Sequence, residues 1–272
     1  MTTTWQVKEG RQSRSVADTL RVRTMPLRIA WGRLRQLLPL APEFSGAYGS
    51  YREAFAAASR QGPVGYDRED VVDIAYERMC RVMWWDYPVL FWLARLLGEI
   101  DLIVDAGGHM GTKYRAFRAL LPIDDQVRWV VYDVPAIVRA GRQRAAADGL
   151  ERLQFVERME DAGNPDLFLG SGLLQYLDVD FSELLGRLPS PPRHLLLNKV
   201  ALRRGPTVVT IQHYEGLTTP YQIRDEDEFV RNLTDLGYDL IDRWQIPSLS
   251  HVIGTHPELG PSRSEGFYFR RR

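Results

Sequence analysis

Two periodicities alternate along the C-terminal two thirds of the chain. Short apolar runs at residues 102–104, 127–132, 153–156, 166–169 and 195–197 have the composition of strands buried on both faces. Between them, apolar positions recur every three or four residues, the signature of amphipathic helices. Tyr114, Phe117 and Leu121 share one helix face, which Pro122 ends. Pro135 opens a helix over 136–148 that Gly149 stops, and another spans 181–188. Asp225 with Glu228 has capping-box spacing, and the helix it starts ends at Gly237. Two more strands, 238–244 and 266–269, have no helix between them and are expected to run antiparallel. The pattern predicts an α/β fold: a Rossmann-like, doubly wound, seven-stranded sheet with an antiparallel last strand. Segments 203–224 and 245–265 show neither period and read as irregular.

The N-terminal third is mostly helical in pattern, giving three expected units. Residues 1–42 form a basic arm and a helix with Leu27, Trp31, Leu34 and Leu38 on one side, closed by Pro39 and Pro42. Residues 43–98 form a helical cap. One helix lies within 44–65; a second, 68–83, carries Val72, Ala75, Tyr76 and Met79; a third, 87–97, is apolar nearly all round. Residues 99–272 form the α/β domain. The arm holds eight Lys/Arg against Glu9 and Asp18, yet the whole chain balances 35 basic with 35 acidic side chains. That balance argues against a nucleic-acid partner. A single cysteine, Cys80, excludes an internal disulfide and cysteine-based metal clusters. No apolar run reaches membrane-spanning length and the start lacks an export signal, so a cytoplasmic location is expected.

Chemistry is concentrated where the first strand meets its loop. Asp105 is followed by Gly107, Gly108, His109 and Gly111, and then by a helix. Such a turn exposes bare backbone and N–H groups to a ligand. In an open α/β sheet, ligands bind outside the carboxyl ends of the strands at the switch in strand order. The turn therefore converges with Asp133, residues 157–161, Ser171–Gly172 and Asn198. Asp133, 28 residues after Asp105, ends the second strand. An acid there can accept both hydroxyls of a ribose, the reading preferred over a cap for the next helix.

The order of segments resembles the class I S-adenosylmethionine-dependent methyltransferases. VDAGGHMG looks like their first motif, and VYDVP like the second-strand motif of small-molecule O-methyltransferases. A closer resemblance is to an uncharacterised group of methyltransferase-like proteins from surface-polysaccharide and other biosynthetic loci. It rests on GGHMGTKY, YDVPAIVRAG, LFLGSGLLQYL, PRHLLLNKVAL, VTIQHYE, PYQIRDEDEF, LGYDLIDRW and GFYF, over about residues 44–271. The resemblance implies S-adenosyl-L-methionine as cofactor and a small-molecule acceptor, most readily an oxygen on a sugar or secondary metabolite and next a nitrogen. Asp105, Gly107, Gly108, His109, Gly111 and Tyr114 would border the methionine part. Asp133 would hold the ribose and Val134 the adenine face; Glu160 or Asp161 would accept the adenine amino group. Ser171 and Gly172 would form the floor under the sulfonium.

The resemblance also implies a catalytic His after the fourth strand, where this chain has Gln175, which takes no proton at neutral pH. His213, beside Tyr214 and Glu215, is the first substitute and His109 the second. His194 is expected to be structural, and His251 and His256 to lie on the surface. Gln175, Tyr176, Asn198, Tyr214 and Tyr221 are expected on the acceptor side; Trp84, Trp85 and Tyr87 suit packing or a homodimer contact. No His and acid spacing supports a metal. Two other functions fit parts of the pattern: an NAD-dependent oxidoreductase, although the turn lacks GxGxxG spacing, and a non-catalytic cofactor-binding scaffold of a biosynthetic complex.

Overall fold

The computed structural model describes residues 16–35, 42–123 and 127–272. The arm before residue 16, with Leu38 and Pro39, lies outside them. The described N-terminal elements are α1 (Val16–Arg35), β1 (Phe44–Tyr48), α2 (Tyr51–Ser59), α3 (Tyr76–Met79) and α4 (Tyr87–Leu96). Then come β2 (Leu102–Ala106), α5 (Thr112–Phe117), β3 (Arg128–Tyr132), α6 (Pro135–Ala147), β4 (Leu153–Val156), β5 (Leu167–Ser171) and α7 (Phe181–Gly186). The chain continues through β6 (His194–Arg203), β7 (Val208–Tyr214), β8 (Leu217–Asp225), α8 (Glu226–Asp235), β9 (Tyr238–Gln245) and β10 (Arg263–Arg271).

The central sheet runs β4-β3-β2-β5-β6-β10-β9. The strands from β4 to β6 are parallel, and β10 is antiparallel to both its neighbours. Strand residues alternate between two cores, as a pleated sheet requires. Ile103, Trp129, Leu167, Leu169 and Leu196 face α4, α5 and α6; Leu102, Val104, Val130, Phe168 and Leu197 face α7 and α8. Helices thus cover both faces, as the alternating pattern predicts. The Asp225 carboxylate accepts the Glu228 N–H and caps α8 as its spacing indicates.

Three expectations are corrected. Residues 203–224 are no irregular segment: β7 and β8 form a hairpin. Tyr214 pairs with Leu217 across Glu215 (φ +46) and Gly216 (φ +82), the two left-handed positions of a tight turn that matches strand twist. Phe44–Tyr48 is a strand, because it pairs antiparallel with β7. With β8 joined to β6 at Leu202 and Arg203, the sheet has ten strands among the described residues, not seven. Finally, residues 68–83 are not one helix. Ala75 takes φ +57, which interrupts helical geometry, so only a 3-10 turn and α3 form. On α1, Leu27, Trp31 and Leu34 are exposed.

Candidate functional site

The strand order reverses between β2 and β5, and the glycine turn leaves β2 at that point. Gly107 donates its N–H to the Tyr132 carbonyl at 2.8 Å, which ties the turn to β3. At Gly108, a Cβ would lie 2.5 Å from the Asp105 Oδ2 and 3.0 Å from the Asp105 carbonyl, so no side chain fits. Gly111 (φ +75) turns the chain into α5, and a Cβ there would meet Leu153 at 2.6 Å. The helix that follows is shorter than expected, six residues, and passes into turns before Pro122. Tyr114 points away from the cleft. It is buried in the core with its ring edge-on to Trp129 at 5.7 Å, which corrects its expected place beside the cofactor.

Asp105 is fully buried. Its Oδ2 accepts the Trp129 indole N–H at 3.0 Å, and its Oδ1 has no partner among the described residues. Burial pushes its carboxyl up to about 7, against the Trp129 bond and the Lys113 charge. Asp133 is half-buried and accepts two backbone N–H groups at 2.8 Å, His109 on Oδ2 and Val134 on Oδ1. Burial nevertheless raises it to about 6. The expected strand-end acid therefore also fastens the glycine turn to the start of α6, so the capping role and a ligand role coexist. Each oxygen keeps a second lone pair. His109 (φ +56) holds its ring inward, 6.3 Å from the Tyr76 ring, with Nδ1 unpartnered among the described residues. Burial lowers it to about 4, so it is a neutral imidazole near pH 7. Val134 packs with Val72, Met110, Ala136 and Ile137.

At the end of β5, Gly172 donates to the Asn198 carbonyl at 2.8 Å, while Ser171 Oγ and Gln175 Oε1 are buried without partners among the described residues. Asn198 is engaged at both ends of its amide. Its amide donates to the Trp85 carbonyl at 3.2 Å, and its oxygen accepts the Trp244 indole N–H at 3.0 Å. That corrects its expected acceptor role: Asn198 and Trp85 hold the frame of the site. Behind Gly172 lies Lys199, and below the glycine turn the Lys113 Nζ is 2.7 Å from Asp86 Oδ2, both buried.

Tyr176 joins a series of edge-on rings, 5.4 Å from Tyr66 and 5.5 Å from Tyr221, with Phe44 5.0 Å beyond. Its hydroxyl donates to Gln212 Oε1 at 2.9 Å. Burial raises Tyr66, Tyr176 and Tyr221 above the ordinary phenol range. His213 follows Gln212 in a regular strand, so its ring faces the opposite side. Its Nε2 lies 3.2 Å from Ser45 Oγ and its Nδ1 3.3 Å from Thr218 Oγ1, and burial lowers its pKa. Glu215, expected to orient it, instead accepts the Tyr214 hydroxyl at 3.0 Å and pairs with Arg78 at 3.3 Å. His213 is thus a cross-strand link and not a base facing Tyr176. His251 packs against Phe44 with the two ring centroids 4.5 Å apart and tilted by 38°, half-buried, where a surface site was expected. Glu160 and Asp161 are solvated beside Arg158, at 3.7 and 4.0 Å.

Sequence reasoning missed Tyr66, Asp67, Asp86, Lys113 and Lys199. Asp67 reaches over from the N-terminal third to accept the Ala136 N–H at the start of α6 at 3.0 Å. One signal was available: lysine occurs only at positions 8, 113 and 199. Among the described residues, no group of three His, Cys, Asp or Glu side chains could hold a metal ion, and no helix is long and apolar enough to cross a membrane.

No protein-family model and no curated protein matches the sequence. Solved structures do. OxaC in complex with SAH and oxaline aligns at 13% identity over 93% of this chain, with a TM-score of 0.53. The chain spans 65% of OxaC, just under two thirds. The Burkholderia thailandensis 1,6-didemethyltoxoflavin-N1-methyltransferase, with bound 1,6-didemethyltoxoflavin and S-adenosylhomocysteine, aligns at 18% identity over 84% of this chain and 92% of its own, with a TM-score of 0.48. The mitomycin 7-O-methyltransferase MmcR aligns at 15% identity over 82% and 67%, at 0.43. With its strand order and antiparallel β10, the chain has the mixed α/β, Rossmann-like fold of the class I methyltransferases.

Proposed function

We propose that the protein moves a methyl group from S-adenosylmethionine to a small molecule, in the first place to a hydroxyl of a sugar or secondary metabolite and in the second to a nitrogen. The observation that carries this reading is a side-chain-free turn at the strand-order switch, fastened to a carboxylate at the end of the next strand. The residues present fit the cofactor. Asp105 Oδ1, Ser171 Oγ and Gln175 Oε1 are buried acceptors or donors without partners, suited to the polar amino-acid part. Asp133 retains lone pairs for ribose hydroxyls, and Val134 offers an apolar surface to a base. Glu160 and Asp161 are solvated, so either is free to accept an adenine amino group. OxaC, of the same fold, was crystallised with SAH, which supports the choice of cofactor.

The bound cofactor supplies an electrophilic methyl on a cationic sulfur. The chain's task is then to hold an acceptor in line with it and exclude water. Tyr66, Tyr176 and Tyr221 form the aromatic wall for that acceptor, and Gln175 orients it without taking a proton. Calorimetric titration with S-adenosylhomocysteine tests the reading. Binding at one site per chain is expected, with none by NADH; the reverse would overturn the proposal.

A further inference from the structure

Of 35 basic side chains only three are lysines, and two of those three, Lys113 and Lys199, lie just after the glycine turn and beside Gly172. On a solvated surface either residue serves, and this chain takes arginine. The two differ where an amine must release its proton, which a guanidinium does not do. Lys113 is paired with Asp86. Lys199, half-buried, has no such partner: no hydrogen bond or ion pair among the described residues engages its Nζ.

Lys199 sits where Asn198 and Lys199 together oppose Gly266, between the pairs Leu197–Phe267 and Val200–Glu265. A bulge of this kind re-aims a side chain beside an active site. Lys199 takes φ +58, a conformation that a residue with a Cβ keeps only where its surroundings hold it. The hold is visible: Asn198 is bonded to both Trp85 and Trp244. The side chain is thereby directed at Gly172, where a Cβ would stand 3.0 Å from both Cε and Nζ. Glycine at 172 leaves the room the amine occupies.

We propose that Lys199 is the proton acceptor for methyl transfer, its neutral amine taking the proton of an acceptor hydroxyl held at the ends of β5 and β6. This rests on the methyltransferase reading above. The acceptor oxygen forms its bond to the methyl carbon as the sulfur–methyl bond breaks toward sulfur. The O–H proton passes to Nζ, so an ammonium and a neutral thioether remain. Gln175 takes no proton, His213 faces away, and His109 holds its ring beside Tyr76, so the role at the ends of β5 and β6 is open. The charges facing Nζ come from three elements: Lys113 on α5, Asp86 ahead of α4 and Asp105 on β2. Glu265 on β10 is engaged by Arg243 and Arg263. Burial first, then Lys113, lowers the Lys199 ammonium to about 8, with Asp86 and Asp105 opposing. A substantial neutral fraction therefore exists near pH 8.

Trace labelling with acetic anhydride from pH 6 to 11, read by mass spectrometry peptide by peptide, tests the assignment, with Lys8 as reference in the same chain. Half-maximal labelling of Lys199 near pH 8 is expected, well below Lys8, together with at least tenfold suppression by saturating S-adenosylhomocysteine that spares Lys8. Lys199 titrating together with Lys8 would make it an ammonium anchor for an anionic group and overturn the proposal. So would S-adenosylhomocysteine that binds by calorimetry yet leaves Lys199 labelling unchanged. No binding at all would instead remove the cofactor reading, and the proposal with it. Lys199→Met and Lys199→Arg should still bind S-adenosylhomocysteine while transfer from methyl-tritiated donor into a small-molecule cell extract falls by about 10²–10⁴-fold. Full transfer by either variant refutes a base at this position.

Discussion

Asp105→Asn should make the protein more stable and a poorer binder of the cofactor. In the folded chain, burial holds the Asp105 carboxyl at about 7, against an ordinary value of 3.8. Between those two values the folded protein keeps a proton that the unfolded chain has released. Stability therefore declines as pH rises through this window, by ~1.4 kcal/mol per unit and by roughly 4–5 kcal/mol in all. Above about pH 7 the wild type carries a buried charge whose Oδ1 has no partner. Asparagine keeps an oxygen for the Trp129 indole N–H, now 3.0 Å from Oδ2, and removes the charge. Urea denaturation at half-unit steps from pH 4.5 to 8 checks the difference between the two proteins. Near pH 4.5 they should differ by under ~1 kcal/mol, and by pH 8 the variant should lead by roughly 2–4 kcal/mol. Taking the difference cancels Asp133, which is also raised, and His109, whose lowered value acts with the opposite sign. Parallel curves across the window would refute the account of Asp105. A variant that gains stability while losing S-adenosylhomocysteine affinity is the expected signature of a charge kept for a ligand.

Asp133→Ala should weaken S-adenosylhomocysteine binding by roughly ten- to a hundredfold in calorimetry, since hydrogen bonds to a charged group contribute ~1.5–3 kcal/mol each; unchanged affinity would remove the ribose role. Lys113→Met leaves the buried Asp86 carboxylate without its ion-pair partner, with only the Met83 N–H on Oδ2 among the described residues, and should cost ~3–5 kcal/mol in urea denaturation, much of it recovered in Asp86→Asn/Lys113→Met. His213→Ala removes two hydroxyl contacts on the far face of β7 and should cost about 1–2 kcal/mol of stability while leaving S-adenosylhomocysteine affinity unchanged. A hundredfold loss of methyl transfer without loss of stability would return His213 to the catalytic candidates.

What was legible in the sequence is what short spans encode. The glycine turn, the acid ending β3, the Asp225 cap and the helix-free step from β9 to β10 each announce themselves within a few residues. Phe44–Tyr48 was hidden because its partner strand lies more than 160 residues away, and five residues paired at such a distance carry no local period. The β7–β8 hairpin was concealed by Glu215, an unusual occupant of a left-handed turn position beside the expected glycine. Gln212 and His213 show the cost of that miss. Only the register decides which of two neighbouring side chains faces Tyr176, and a one-residue change of face reverses the assignment.

The misplaced expectations share a physical cause. The proposed cofactor half of the site is a local product of β2, β3 and β5, whereas its proposed walls are brought from elsewhere by polar contacts. Asp67 caps α6, Asp86 pairs with Lys113 on α5, and the Trp85 carbonyl holds Asn198 beside Lys199. Each contact places a residue of the N-terminal third against one of the elements that flank the glycine turn. The Tyr66 ring reaches Tyr176 by the same path, and β1 brings Phe44 to Tyr221. An acceptor bound between these rings therefore touches residues whose positions depend on the same ties that hold the cofactor turn. Changes in Tyr66 or Tyr221 should alter acceptor affinity alone, whereas breaking the Asp67 cap should weaken both ligands together. Separate titrations of the Tyr66→Ala and Asp67→Ala variants with S-adenosylhomocysteine discriminate the two, and equal losses of affinity would show that wall and floor are one unit rather than two joined ones.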